Sequence, residues 1–370
     1  MKPIIAITAG DINGVSYEII LKTIFHAHIL EICTPVLYGN VSIAKQHAAL
    51  LDEEFSTPQG VIISDPRKVQ EGKVNVITCY PDDTPLHMGH STPEAGKASL
   101  ACLKRACADL QQGYVHALVT APINKENIQA DDFRFSGHTE YLTHLFGAKE
   151  DSLMMMVSDM LKVALVCNHV PISKVPEMVT KERIIKKLTI LNQTLKNDFS
   201  IRKPRIAVLA LNPHAGDGGL IGTEEQEIIK PAIVEANKQG IQAFGPYSAD
   251  GFFGSGHFAH FDAILAMYHD QGLIPFKSMD MNGVNFTAGL KIIRTSPDHG
   301  VAYDRAGKNI ASPLSFRNAL TMAIDLLAQR AQNEVLNANP LHIPEPEETD
   351  FRPEFRSFSE PKSTGYKANN

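Results

Sequence analysis

One pattern, used three times, limits what this chain can fold into. A short apolar run, long enough for one buried strand, gives way within a few residues to polar, titratable side chains that include a histidine. Residues 261–272 read FDAILAMYHDQG, with apolar residues 263–267 running into Tyr268, His269, Asp270, Gln271 and Gly272. Residues 163–167 (VALVC) run into Asn168 and His169, and residues 206–211 (IAVLAL) run into Asn212, Pro213 and His214. In an open α/β sheet, ligands sit just beyond the carboxyl ends of the strands. If these strands are neighbours, three imidazoles can converge on one point.

The rest of the chain supplies the sheet. Apolar strands at 4–8, 34–38, 74–79 and 116–120 alternate with helical stretches, which predicts βαβ units and a mainly parallel sheet. Thr92, Pro93 and Glu94 mark a helix start: a hydroxyl cap, a proline in the first turn and an acid at the positive helix end. Leu100, Leu103, Cys107 and Leu110 then recur at helical spacing, and Gly113 closes that helix. Ile184, Leu188, Leu191 and Leu195 form a second stripe. Residues 223–226 (TEEQ) predict a capping box, and Pro231 beyond them predicts a kink or a late helix start. Another helix is expected after Pro313.

At 370 residues the chain exceeds one ordinary core, so two lobes are expected. We divide them as residues 1–125 with 300–340, carrying both termini, and residues 126–299, carrying most of the site. Residues 345–370 are rich in Pro, Glu and other polar residues and are expected to form a mobile tail. A net charge of −6 argues against a nucleic-acid partner. No apolar run is long enough for a membrane span, and the first residues fit a strand better than a signal peptide. Five cysteines without a CxxC pair argue against a disulfide framework and for a reducing cytoplasm. Cys167 ends an apolar run and reads as a small buried hydrophobe.

Three histidines suit Zn²⁺ with one coordination position left open, and neutral imidazole also suits other divalent ions. Taken singly, each of His169, His214 and His269 reads more readily as a hydrogen-bonded loop residue than as a ligand; it is the shared context that points to a metal. Asp250 precedes a glycine and is either a base or a turn residue. Gly216, Gly218, Gly219 and Gly222 lie before a helix start, where backbone N–H groups approach an anion or a cofactor; a flexible loop is the alternative. Arg294 ends the apolar run 290–293, and with Lys277 and Asn285 it suits a phosphate or carboxylate. His138 and Thr139 open a helix, another anion-friendly place.

Five segments then carry a family resemblance. They are TAPINK (120–125), SGHTEYL (136–142), NPHAGDGGLIGTEE (212–225), AMYHDQGLIPFK (266–277) and GVNFTAGLKIIRTSPDHG (283–300). In this order they resemble the 4-hydroxythreonine-4-phosphate dehydrogenases of pyridoxal phosphate biosynthesis, across roughly residues 2–330. The resemblance implies a two-lobed α/β/α fold, isocitrate/isopropylmalate dehydrogenase-like, in a homodimer with the active site at the interface. It implies that His169, His214 and His269 hold a divalent metal (Zn, Mg, Co or Mn), with ligands drawn from both subunits. It implies that His138, Thr139, Lys277, Asn285 and Arg294 contact the phosphorylated substrate. It further implies NAD-dependent oxidation and decarboxylation of 4-phosphohydroxy-L-threonine to 3-amino-2-oxopropyl phosphate; for the proton acceptor, which the resemblance does not assign, Asp250 and Lys277 are the candidates.

Two segments depart from the family pattern. The first loop, residues 8–18 (TAGDINGVSYE), lacks the prolines of the usual TPGDPAGIGPE. Residues 278–282 (SMDMN) replace a glycine-rich stretch beside the substrate. A D-threonate or D-erythronate 4-phosphate dehydrogenase is therefore the nearest alternative. A metal-dependent hydrolase or aldolase on the same scaffold is the alternative from another class.

Overall fold

Alternating apolar runs need partners on both sides, and here they find them in one sheet. The computed structural model describes residues 2–52, 60–131, 133–147 and 152–339. The expected tail at 345–370 lies outside the described residues. Among the described residues there are twelve strands: β1 (Ile4–Thr8), β2 (Thr34–Gly39), β3 (Gly60–Ile62), β4 (Val74–Thr78), β5 (Ala117–Thr120), β6 (Leu153–Val157), β7 (Lys162–Leu165), β8 (Arg205–Leu209), β9 (Gln242–Tyr247), β10 (Ala263–Ala266), β11 (Val284–Ala288) and β12 (Arg294–Pro297). Their order across the sheet is β3-β4-β2-β1-β5-β12-β11-β6-β7-β10-β8-β9.

Parallel pairing holds within two blocks, β3 to β12 and β7 to β9. Between them β12, β11, β6 and β7 pair antiparallel. The α/β class is thus as expected, with an antiparallel seam that apolar patterning does not reveal. The three strands that precede the histidines are neighbours, in the order β7-β10-β8.

The strands read as apolar runs because both faces of the sheet are covered. Alternate residues of β6 enter different cores: Met155 and Val157 join the main one, Met154 and Met156 the smaller one on the opposite face. The helix Pro93–Gln111 starts as expected, with Thr92 Oγ1 accepting from Ala95 N at 3.2 Å, and buries Leu100, Leu103, Cys107 and Leu110. The helix Lys181–Asn197 buries the whole stripe Ile184, Leu188, Leu191 and Leu195. Pro231 is the second residue of the helix Lys230–Lys238, but π-helical residues Glu225–Ile229 run into that helix without a break, so the proline marks an irregularity in a continuous helix and not a late start. A final helix, Leu314–Asn337, packs across β12, β5 and β11.

Two local expectations are corrected. The box at 223–226 is not made. Gln226 N donates to Thr223 O at 2.9 Å, while Glu225 is buried and accepts from Leu211 N and Asn212 N at 2.8 Å each. The box fails because Gln226 N bonds the Thr223 carbonyl and not its hydroxyl, while Glu225 is drawn to two backbone donors just beyond β8. Arg294 does not end a strand but begins one: residues 290–293 are irregular, and β12 starts where Arg294 pairs with Leu118 of β5. No helix of the described residues is long and apolar enough to cross a membrane.

Candidate active site

The antiparallel seam floors a cavity of about 260 Å³. Asn285 of β11 stands opposite both Met156 of β6 and Ser296 of β12, so these three side chains form one row across the sheet. All three line the cavity, as do Met154 and Arg294 two residues along their strands. The helices His138–Phe146 and His269–Met279 bring His138, Thr139, His269 and Lys277 to its walls, and His169 arrives from the loop after β7.

Arg294 dominates the electrostatics. Its residue is 2% exposed. Its donors go to hydroxyls only: Nε and Nη2 to Thr120 Oγ1 at 3.1 and 2.7 Å, and Nη1 to Thr287 Oγ1 at 3.1 Å. No carboxylate of the described residues forms an ion pair with it. Burial pushes its pKa down to about 10, so it stays charged at neutral pH. Nearby, His138 Nε2 and Asn285 Oδ1 are buried and find no hydrogen-bond partner among the described residues. Burial, with Arg294 and Lys125 adding to it, holds His138 well below the usual imidazole range, so it is neutral. Lys277 Nζ donates to Asp298 O at 3.0 Å and lies 3.7 Å from the Asp298 carboxylate.

Of the three expected metal ligands, the structure brings two together. The rings of His169 and His269 lie 5.6 Å apart, centroid to centroid, and both line the cavity. Burial, then Lys125, lowers the His169 pKa. Asp270 Oδ1 bonds His269 Nδ1 at 2.7 Å, which leaves Nε2 available as a ligand atom. His214 does not line this cavity. Six successive residues, 214–219, have positive φ, and the loop folds back toward Glu225. Among the described residues, no group of three or more His, Cys, Asp or Glu side chains could hold a metal ion. The donors of one chain therefore fit an ion in part, as an open two-imidazole set.

Asp250 lies elsewhere. It is exposed at the start of the helix Ala249–Gly254, where the Ser248 hydroxyl bonds it at 2.5 Å and lowers its pKa. It lines a second, more apolar cavity of about 560 Å³ with Asn212, Tyr268 and Asp270. Asp270 thus has its ring partner on one cavity and its own side on the other. Gly216, Gly218, Gly219 and Gly222 line neither. Two of them are needed for packing: a Cβ on Gly216 would meet Glu225 Oε2 at 2.6 Å, and one on Gly222 would meet Asn212 Nδ2 at 2.5 Å.

Several lining residues escaped the sequence reading: Thr120, Lys125, Glu140 and Asp298. Lys125 was the most findable, since it follows β5 as the histidines follow their strands. Glu140 and Asp298 stand beside singled-out residues, but nothing local distinguishes them from surface acids.

The arrangement matches known proteins. The family model "Pyridoxal phosphate biosynthetic protein PdxA" matches residues 31–323. The chain is 49% identical over 338 residues to a 4-hydroxythreonine-4-phosphate dehydrogenase of Bacteroides thetaiotaomicron, covering 91% of this chain and 92% of that protein. It is 40% identical to a provisionally named D-threonate 4-phosphate dehydrogenase of Oceanobacillus iheyensis, covering 88% and 98%. The solved structure of a 4-hydroxythreonine-4-phosphate dehydrogenase from Klebsiella pneumoniae superposes with a TM-score of 0.76 at 33% identity, covering 88% of this chain and 98% of that one.

Proposed function

This chain belongs to the PdxA family of 4-hydroxythreonine-4-phosphate dehydrogenases, and we propose that it oxidises and decarboxylates 4-phosphohydroxy-L-threonine to 3-amino-2-oxopropyl phosphate. The observation that carries the substrate class is Arg294. A buried guanidinium bonded only to hydroxyls is poorly compensated, and a phosphate dianion beside it, within reach of His138 and Lys277, supplies the missing charge. Holding the phosphate at that end fixes the reacting carbon toward His169 and His269 without touching it. A divalent metal held by those imidazoles would lower the pKa of the substrate 3-hydroxyl, and NAD would take up the hydride from the same carbon before C1 leaves as CO₂.

The chain's own residues divide the remaining work. Asp270 orients the His269 ring. Lys277 is the proposed proton acceptor within one chain, since it lines the cavity; it would have to release the proton with which its ammonium donates to Asp298 O before it could accept one. His214 and Asp250 open on the other side of the His269–Asp270 pair, so they contribute only across an interface with a second copy. A homodimer with a shared site is therefore part of the proposal, as is the division into lobes 1–125 with 300–340 and 126–299. For NAD, two segments compete: the glycines at 216–222, and the wall 298–315. We favour the second, because an apolar cavity of about 350 Å³ there shares Asp298 and His299 with the substrate cavity. The cysteines Cys33, Cys79, Cys102, Cys107 and Cys167 are all free thiols, which suits the reducing cytoplasm we propose as its compartment.

A four-carbon sugar-acid phosphate is the second reading, supported by the relative named for D-threonate 4-phosphate. The test is NADH formation with 4-phosphohydroxy-L-threonine and with D-threonate and D-erythronate 4-phosphates, with added divalent metals and after chelation. Metal-dependent NADH that disappears in His269→Ala supports the metal-assisted dehydrogenase. NADH that survives both chelation and His269→Ala refutes the metal reading, and no NADH with any of the three refutes the substrate class.

A further inference from the structure

The first loop carries a buried carboxylate that lines neither the substrate cavity nor the apolar cavity beside it. Asp11 is fully buried, and its partners are neutral donors from three segments. Its Oδ1 accepts from Asn13 N at 2.8 Å, and its Oδ2 accepts from Asn127 Nδ2 and from the Tyr303 hydroxyl at 2.8 Å each. Burial, and then the bond to Asp11, push the Tyr303 pKa up to about 12, so the phenol keeps its proton and donates it. The same hydroxyl accepts from Asn124 Nδ2 at 3.1 Å. The orientation of the Asn124 amide is fixed, because its Oδ1 accepts from Glu126 N and Asn127 N at 2.8 and 3.3 Å. Two walls meet in this network. Ile123 and Lys125, on either side of Asn124, line the substrate cavity. Ala302 and Arg305, on either side of Tyr303, line the apolar cavity of about 350 Å³. The loop backbone repeats the splice: Asp11 N donates to Pro122 O at 2.9 Å, and Val15 N to Val301 O at 3.0 Å. A Cβ on Gly14 would stand 2.5 Å from Val301 O, so the contact leaves no slack.

We propose that Asp11 and Tyr303 are positioning residues: through their hydrogen bonds to Asn124 and Asn127 they hold the substrate wall at a fixed separation from the nucleotide wall. This rests on the function proposed above and deepens it. Neither side chain lines a ligand cavity of the pair, so neither adds to the affinity for a ligand on its own wall. What the network sets is the distance between two ligands held on different walls, and hydride transfer is steeply sensitive to that distance. Its loss therefore shows in turnover and not in binding. A network that only held the fold together would, when cut, lower stability and both affinities in step.

The experiment compares wild type, Tyr303→Phe, Asp11→Asn and the double variant, with whichever of the three phosphates above wild type turns over. It measures kcat, KM and the isotope effect of deuterium on the carbon to be oxidised. Calorimetry gives the separate affinities for inorganic phosphate and for NAD, and hydrogen exchange is followed in the unliganded proteins. Tyr303→Phe keeps the ring and removes only the hydroxyl. Its kcat is expected to fall roughly ten- to a hundredfold with a larger isotope effect, while KM and both affinities change less than about threefold. Exchange rises in 121–128 and 298–305 and stays as in wild type in the helix Lys181–Asn197. The double variant loses no more than about threefold beyond Asp11→Asn, since both changes cut one network. Should Asp11→Asn fail to fold, Tyr303→Phe decides alone. Wild-type kcat and isotope effect in Tyr303→Phe, or a kcat loss matched by equal losses of both affinities and a lowered Tm, overturn the inference and leave the functional reading standing. A wild type that forms no NADH with any of the three phosphates overturns the functional reading and the inference with it.

Discussion

A single hydroxyl, Thr120 Oγ1, receives two donors from Arg294, at 3.1 and 2.7 Å, across the junction of β5 and β12. The threonine fixes the plane of the guanidinium without neutralising it. The protein therefore carries a buried charge that no ion pair among the described residues compensates, and that relationship separates stability from function at one residue.

Arg294→Met is expected to leave stability unchanged or to raise it by up to about 2 kcal/mol, because an unneutralised buried cation is replaced by an apolar side chain. The same change should lower kcat/KM by more than about a hundredfold, since a charge-assisted phosphate contact is lost. Thermal melts with and without inorganic phosphate check it: phosphate should raise the Tm of wild type only. Equal protection of both proteins by phosphate would remove Arg294 from the anion site.

Asp270→Ala removes the hydrogen bond that orients His269 while leaving every proposed metal ligand in place. Metal affinity should fall by roughly ten- to a hundredfold. Competition with a chromogenic chelator measures it, and unchanged affinity would show that His269 is not oriented this way.

His47 links acid stability to the first loop. It is 3% exposed, bonds Ile12 O through Nε2 at 2.8 Å, and burial pushes its pKa down to about 4. Above the ordinary value of 6.5 neither folded nor unfolded chain protonates it, and nothing is lost. As pH falls from 6.5 toward 4, only the unfolded chain takes up the proton, so stability declines. The loss is on the order of 3 kcal/mol by pH 4, and buried His138 acts in the same direction. Urea unfolding of wild type and His47→Gln at neutral pH and near pH 4 tests this; parallel pH profiles for the two would reject it.

Gly96 lies where the helix Pro93–Gln111 meets the segment that carries Lys125. A Cβ there would stand 1.8 Å from Asn127 O, so helix and loop cannot keep their contact. Gly96→Ala should destabilise by roughly 3 kcal/mol or more. A Tm within a degree of wild type would mean that the two segments separate freely.

Much of the site was legible because strand ends announce themselves. His169 and His269 follow apolar runs, and His138 and Thr139 open a helix, all within a few residues of chain. These positions depend on local pattern and on backbone chemistry that short segments express alone. Arg294 shows the limit. Its run of apolar neighbours suggested a strand before it, whereas pairing with Leu118, far away in sequence, made the strand begin at it.

Local pattern alone determined the α/β class, the strands that end at His169, His214 and His269, the family motifs and several of the residues that line the cavity, while the adjacency of β7, β10 and β8 came from the sheet. Only the tertiary structure decided the antiparallel seam of β12, β11 and β6, the isolation of Arg294 from any described carboxylate and the separation of His214 from the other two imidazoles. The reason is physical. A strand or a helix cap is set by residues next to one another, but which strands pair, and which charges are left without partners, depends on contacts between segments that meet only when the sheet closes.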